Sequence, residues 1–231
     1  MTPTSIPTPP GPCRRVVLAS IGSVLALAMA GCATTQLAPP VPIEPARPPI
    51  PDHAALMYGP MPEEEFPIPA VDLNELDPRY YRQVVNYPTL EEPGTVVVDP
   101  SNRFLYHVED GGKAVRYGVG IGKAGFEWSG RAHVAYGRKW PVWTPPSAMI
   151  ERQPTLEKWR HGQPPGIDNA LGARALYIHQ GNRDTLYRLH GTGEVRTIGK
   201  AVSSGCVRLL HHDIIDLYDR VQTGSALVVL S

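Results

Sequence analysis

The sequence predicts a mainly β domain with minor helices, preceded by a proline-rich tether. Three observations carry this reading. Between residues 95 and 190, short apolar runs are separated by Gly-, Pro- and Asn-bearing turns. Near the C-terminus, Ile214, Leu217, Tyr218 and Val221 fall at helical spacing. Residues 33–70 hold eleven prolines and show neither the helical nor the strand period.

Residues 1–32 read as a targeting segment. Arg14 and Arg15 precede an apolar or small-residue run from Val16 to Ala30, too short to span a bilayer comfortably, and Gly31-Cys32 follows. Met29-Ala30-Gly31-Cys32 resembles the lipobox of bacterial lipoproteins, which makes Cys32 a lipid-attachment site; an ordinary cleaved signal with a chance Cys is the alternative. Either leader sends the protein out of the cytoplasm. Ala33 after the lipidated Cys implies, by the same resemblance, a periplasmic protein held at the outer rather than the inner membrane. Residues 33–70 are expected to be extended and semi-rigid, serving as a spacer or a plain linker. Residues 71–93 form a short helical or extended lead-in, with Asp77-Pro78 as a helix start and Tyr80, Tyr81, Val84 and Val85 packing on the domain edge.

The compact domain occupies residues 94–231. Residues 95–98 read as a buried strand and Pro100-Ser101-Asn102 as a turn; alternating runs at 104–108 and 115–121 flank an Asp110-Gly111-Gly112 hairpin, giving a β-meander. Trp140-Pro141-Val142-Trp143-Thr144-Pro145-Pro146 is too rich in proline for a central strand or a helix interior, and reads as an irregular loop suited to one wall of a cleft. Residues 175–178 and 185–190 read as further strands, and 226–230 as a closing strand.

Composition removes several classes of function. The 231 residues carry 22 basic and 22 acidic side chains, with no electrostatic footprint for nucleic acid. Gly118, Gly120 and Gly122 lie in an alternating strand with no following helix and make no phosphate loop. His179, His190, Cys206 and His211 lack the tight ligand pair of a zinc site. No cofactor or metal is therefore expected. His211-His212-Asp213 reads as a solvated helix start, and the four tryptophans as packing residues or groove walls.

Cys206 is the only cysteine beyond residue 32, hence either a used thiol or a small buried apolar residue. Its neighbours give the first reading physical content. Ser203-Ser204-Gly205 before it is a small-residue turn in which backbone N–H groups can converge beside the sulfur. His190 ends a predicted strand, and Gly191 lets the chain turn there. A strand-end His and a turn Cys separated by one loop can meet, and the imidazole can then take the thiol proton.

His190-Gly191-Thr192, then Ser203-Ser204-Gly205-Cys206-Val207-Arg208 after a gap, resembles the signature of the L,D-transpeptidase catalytic domain, the YkuD or ErfK-YbiS-YcfS-YnhG family. Sixteen positions separate His190 from Cys206, and the similarity extends to Trp143-Thr144-Pro145-Pro146 and Leu171-Gly172-Ala173-Arg174-Ala175. The resemblance implies an L,D-transpeptidase-like β-sandwich. It implies Cys206 as nucleophile, His190 as base and acid, and Gly191, Ser204 and Gly205 as orienting or oxyanion-hole groups. Thr192, Ser203 and Arg208 would face substrate, although Arg208 also fits a plain ion pair. Ser204 stands where many members carry a second His. The implied substrate is a peptidoglycan tetrapeptide stem, cleaved at the third residue, meso-diaminopimelate, with release of D-Ala. The acceptor is another stem (a 3→3 crosslink), a Lys of a wall-attached protein, or water, which makes a carboxypeptidase. A non-catalytic peptidoglycan tether is the reading of a different class.

Overall fold

The apolar runs pair into one long sheet, and the order of its strands is what brings the His and Cys segments together. In the computed structural model, residues 49–122, 129–203 and 206–231 are described. The leader, Cys32, the tether up to residue 48, Trp128, Ser204 and Gly205 lie outside the described residues. The strands are β1 (Gln83–Asn86), β2 (Val96–Asp99), β3 (Phe104–Glu109), β4 (Lys113–Gly118), β5 (Ile121–Gly122), β6 (Gly130–Lys139), β7 (Arg174–Gln180), β8 (Arg183–Thr192), β9 (Ala201–Ser203), β10 (Val207–Leu210) and β11 (Ala226–Val229). Among the described residues three α-helices accompany them, α1 (Asp52–Met57), α2 (Ser147–Arg152) and α3 (His211–Arg220).

Nine strands hydrogen-bond in the order β1-β4-β3-β2-β11-β6-β7-β8-β10, and β5 pairs with β9 separately. The meander β2-β3-β4 is antiparallel, and Gly111 and Gly112, at φ 71° and 67°, supply the left-handed positions of its hairpin. The layers of the expected sandwich are two halves of this one sheet. A single apolar core joins Val96, Leu105 and Tyr117 of the first half to Ile178, Leu189 and Leu209 of the second. Gly120, beyond β4, exchanges backbone hydrogen bonds of 2.9 and 2.8 Å with Arg208 on β10. The strand expected to close the domain, β11, sits in the middle of the sheet, parallel to β2 and antiparallel to β6.

The tether differs from its expectation. Residues 52–57 form α1, and Ala54, Tyr58, Ile68, Leu73 and Leu76 are buried. Ala54, Met57 and Tyr58 have the i, i+3, i+4 spacing of one apolar helix face, which the surrounding prolines obscure in sequence. This strap is held by polar contacts as well. Tyr58 accepts a 2.8 Å hydrogen bond from the Arg82 backbone N–H and donates one of 3.2 Å to Asp213. Glu64 pairs with Arg174 at 2.6 Å and accepts the Trp140 indole N–H at 3.0 Å. His212 bonds the Gly59 carbonyl at 2.6 Å.

These contacts also correct the reading of His211-His212-Asp213 as a solvated helix start. All three are buried in the first turn of α3, where the strap covers His212 and Asp213 while Trp140, Ala173 and Gly191 surround His211. Burial raises the Asp213 carboxyl to about 7, against the opposing pull of Arg82 and of the Tyr58 hydroxyl. The lead-in takes the form expected at Pro78–Tyr80, a 3-10 turn whose N-terminal Asp77 side chain accepts from Arg79 N–H, and β1 then joins the sheet edge beside β4. Val84 is exposed rather than packed, because only alternate residues of an edge strand face inward.

If the strap is part of the folded unit, Tyr58→Ala removes a fully buried aromatic ring and its hydrogen bonds. Urea denaturation is expected to show a loss of about 3 kcal/mol or more in unfolding free energy. A loss under about 1 kcal/mol would mark residues 52–81 as an appendage.

Candidate active site

The site is built on the parallel pairing of β8 with β10. Its register sets Val207 beside Leu189, Arg208 beside His190 and Leu209 beside Gly191. Side chains alternate along each strand, so Leu189, Val207 and Leu209 share the core-facing side. Arg188, His190 and Arg208 share the other side, and Cys206, two residues before Arg208, joins them. Together they line a cleft of about 620 Å³.

His190 is buried, and its Nδ1 lies 3.0 Å from the carbonyl oxygen of Gly191. A carbonyl only accepts, so Nδ1 carries the proton and Nε2 the lone pair. Burial lowers the His190 pKa to about 4; the Gly191 carbonyl opposes this, and the charges on Arg208 and His211 add to it. The imidazole is therefore neutral at neutral pH. Cys206 is half-buried, and its sulfur approaches the Leu186 carbonyl at 3.9 Å. Burial pushes its thiol up, partly offset by the Arg188 backbone N–H and by the charges of Arg188 and Arg208. The resting pair is thus thiol and neutral imidazole, because the same burial penalises both charged forms.

Gly191 is needed for space rather than for a turn. β8 continues through it to Thr192, and a Cβ at 191 would lie 2.8 Å from His211 Nδ1 and 3.0 Å from Ile214 Cγ2 on α3. His211 Nδ1 in turn accepts the Ala173 backbone N–H at 3.3 Å. Thr192, expected at the substrate, instead accepts the Glu194 N–H at 3.1 Å and does not line the cleft, since its hydroxyl shapes the turn after β8. Arg208 lines the cleft and is tied to Glu194 at 2.9 Å, so the ion pair and the cleft position hold together. Ser203 ends β9 opposite Gly122, just before Ser204 and Gly205 outside the described residues.

Several cleft residues escape sequence reasoning. Leu186 has φ 63°, a left-handed conformation costing a non-glycine residue about 1–2 kcal/mol. It is held by the Asp184 carboxylate, which accepts Leu186 N–H at 2.8 Å, and by Thr185, whose hydroxyl accepts Tyr187 N–H at 3.2 Å and donates to the Ile178 carbonyl at 2.6 Å. The short polar pair Asp184-Thr185 is the signal that could have revealed it. The result aims the Leu186 carbonyl at Cys206 and leaves its side chain exposed in the cleft. Arg188 makes a bidentate pair with Asp184 at 2.7 Å and lies 4.2 Å over the Tyr177 ring. The proline-rich loop does form one wall, through Val142, Trp143 and Thr144. It leads into α2 and a 3-10 segment, Pro154–Trp159, which add Met149, Arg152 and Leu156.

Residues 93–230 match the family described as YkuD, L,D-transpeptidase catalytic domain. A probable L,D-transpeptidase of Escherichia coli, ErfK/SrfK, is 34% identical over 146 residues, covering 62% of this chain and 46% of that protein. The matched region thus spans less than half the length of that relative. Among solved structures, a Brucella melitensis protein named a probable carnitine operon oxidoreductase is 44% identical, covering 69% of this chain and 99% of that one at a TM-score of 0.48. An L,D-transpeptidase from Mycobacterium smegmatis is 21% identical, covering 59% of this chain and 58% of that one at a TM-score of 0.45.

Two measurements check the electrostatics of the cleft. Thiolate absorbance followed against pH is expected to show Cys206 titrating above the ordinary thiol value of about 8.5; a midpoint below about 7 would mean a preformed thiolate–imidazolium pair. Stability should also respond to pH. An unfolded His takes a proton near about 6.5, whereas folded His190 and His211 do so near 4. The unfolded chain therefore binds more protons between those values, and stability rises with pH across that window. Asp213 opposes this, since its folded form keeps a proton up to about 7 that the unfolded chain has lost. Two histidines outweigh one acid, so the melting temperature is expected to climb from about pH 4.5 to 6.5. His211→Asn, which cannot gain the proton, should flatten the climb.

Proposed function

Because the chain belongs to the YkuD family of L,D-transpeptidase catalytic domains, we propose that it is a cysteine acyltransferase acting on peptidoglycan tetrapeptide stems. The observation that carries this reading is the β8–β10 register, which sets Cys206, His190 and Arg208 on one face of a single cleft. On substrate binding, His190 Nε2 takes the thiol proton and the sulfur attacks the carbonyl of the third stem residue. Backbone N–H groups of the Ser203-Ser204-Gly205-Cys206 segment, the oxyanion-hole groups that the sequence motif implies, stabilise the resulting oxyanion. His190 returns its proton to the departing amine, D-Ala leaves, and a thioester remains. An amine or water then attacks that carbonyl, His190 takes a proton from the attacker, and the sulfur departs to regain a proton as the thiol. The thioester conserves the energy of the broken amide, so a new amide forms without ATP.

The Gly191 carbonyl is the orienting group in this scheme. It fixes which imidazole nitrogen faces the reaction and adds no net charge to the site. The lipobox-like leader and the prolines following it support a periplasmic, lipid-anchored enzyme whose catalytic unit works away from the membrane. Loss of radiolabelled palmitate incorporation in Cys32→Ala is the outcome expected of such an anchor.

Incubation with a disaccharide-tetrapeptide, read by mass spectrometry beside Cys206→Ala, tests the reaction. Cys206-dependent release of D-Ala is expected, with activity in the variant reduced by about 10³-fold or more. A dimer lacking one D-Ala identifies 3→3 transfer, and free tripeptide identifies hydrolysis. Equal product from both proteins would falsify the cysteine mechanism. A carbapenem adduct on Cys206 in the intact-mass spectrum is a further expected outcome.

A further inference from the structure

We propose that Arg152 is a specificity-determining residue of the cleft, which recognises one of the two side carboxylates that the acyl donor keeps when D-Ala leaves, while the scissile amide lies over Cys206. This deepens the acyltransferase reading and rests on it. The argument begins with charge. None of the described residues lining the cleft is acidic, and three are arginines: Arg152, Arg188 and Arg208. Two of the three are already committed, Arg188 to Asp184 at 2.7 Å and Arg208 to Glu194 at 2.9 Å. Arg152 is exposed and makes no ion pair among the described residues, so its charge is the uncompensated one in the cleft.

Its setting supports a recognition role. It stands at the last residue of α2, in the part of the lining that also holds Met149, Gln153 and Leu156, in the cleft that Cys206, His190 and Arg208 line. A guanidinium there offers a two-pronged donor to a planar carboxylate. The apolar surfaces of Met149, Leu156, Val142 and Leu186 contact the uncharged parts of the chain instead. Such a cleft disfavours cationic ligands and rewards an extended anionic peptide. A tetrapeptide stem retains two side carboxylates after D-Ala departs, one on its glutamate and one on its diaminopimelate, and both offer this chemistry. The short α2 gains little from a cation at its C-terminus, since a six-residue helix has a small dipole.

The experiment compares D-Ala release by the full chain from three donors: one with both carboxylates free, one amidated on the glutamate and one amidated on the diaminopimelate. For the wild type, amidating the recognised carboxylate is expected to raise KM about tenfold and leave kcat within about twofold. Arg152→Ala should show that raised KM with the free donor and become indifferent to amidation, while Arg152→Lys recovers part of the discrimination. The amide that matters names the carboxylate. A wild type indifferent to both amidations, or an Arg152→Ala variant that discriminates as strongly as the wild type, overturns the proposal. Unchanged thermal melting of the variant separates recognition from folding. If the wild type releases no D-Ala, the acyltransferase reading fails by itself. The same three donors titrated calorimetrically onto Cys206→Ala, with and without Arg152→Ala, then decide the carboxylate question. A preference that vanishes with Arg152 supports the proposal, and equal affinities refute it.

Discussion

The parallel register between β8 and β10 is the constraint on which the rest of the site depends. A shift of β10 by one residue would turn Val207 and Leu209 out of the core and send Cys206 and Arg208 into it, while β7 holds His190 in place. Parallel neighbours cannot be joined by a tight turn, so the chain needs a crossover, here residues 193–206. The described parts of that crossover are fastened. Val195–Thr197 forms a 3-10 turn, β9 pairs with β5, and the Gly120–Arg208 exchange fixes the start of β10. The segments on either side of the thiol are thus tied to the sheet by backbone hydrogen bonds.

Burial governs the chemistry of the pair as strongly as geometry does. It lowers the imidazole and raises the thiol, so both groups rest uncharged. An orienting carboxylate beside His190 would reverse that balance by stabilising the imidazolium. A peptide carbonyl keeps the ring aligned without doing so, and it comes from the very next residue. The ring orientation consequently depends on how closely β8 approaches α3, and that approach is possible only because position 191 lacks a side chain.

Much of this was legible in the sequence, and what escaped has physical causes. The meander, the strand carrying His190, and α3 announced themselves through periodicity, which is a local signal. The central place of β11 did not, since Ala226–Val229 pairs with segments about 90 to 130 residues away and its own pattern says nothing about which neighbours it finds. The strap over α3 was hidden because one turn of apolar spacing around Tyr58 is outweighed by the prolines beside it. Leu186 was missed because a left-handed leucine contradicts its own preference and is imposed by Asp184 and Thr185. The buried His212-Asp213 pair reads as polar surface until the strap that covers it is known.

The central position of β11 also bears on how the molecule comes into being. Within the nine-stranded sheet, pairing between the half that holds β1 to β4 and the half that holds the cleft runs through residues 226–229, with the Gly120–Arg208 exchange and the β5–β9 pair as separate links. A growing chain can assemble its hairpins early, but each half keeps an open edge until this segment emerges. Partly made chains therefore present two unsatisfied sheet edges, which residues 226–229 close together by pairing with β2 on one side and β6 on the other.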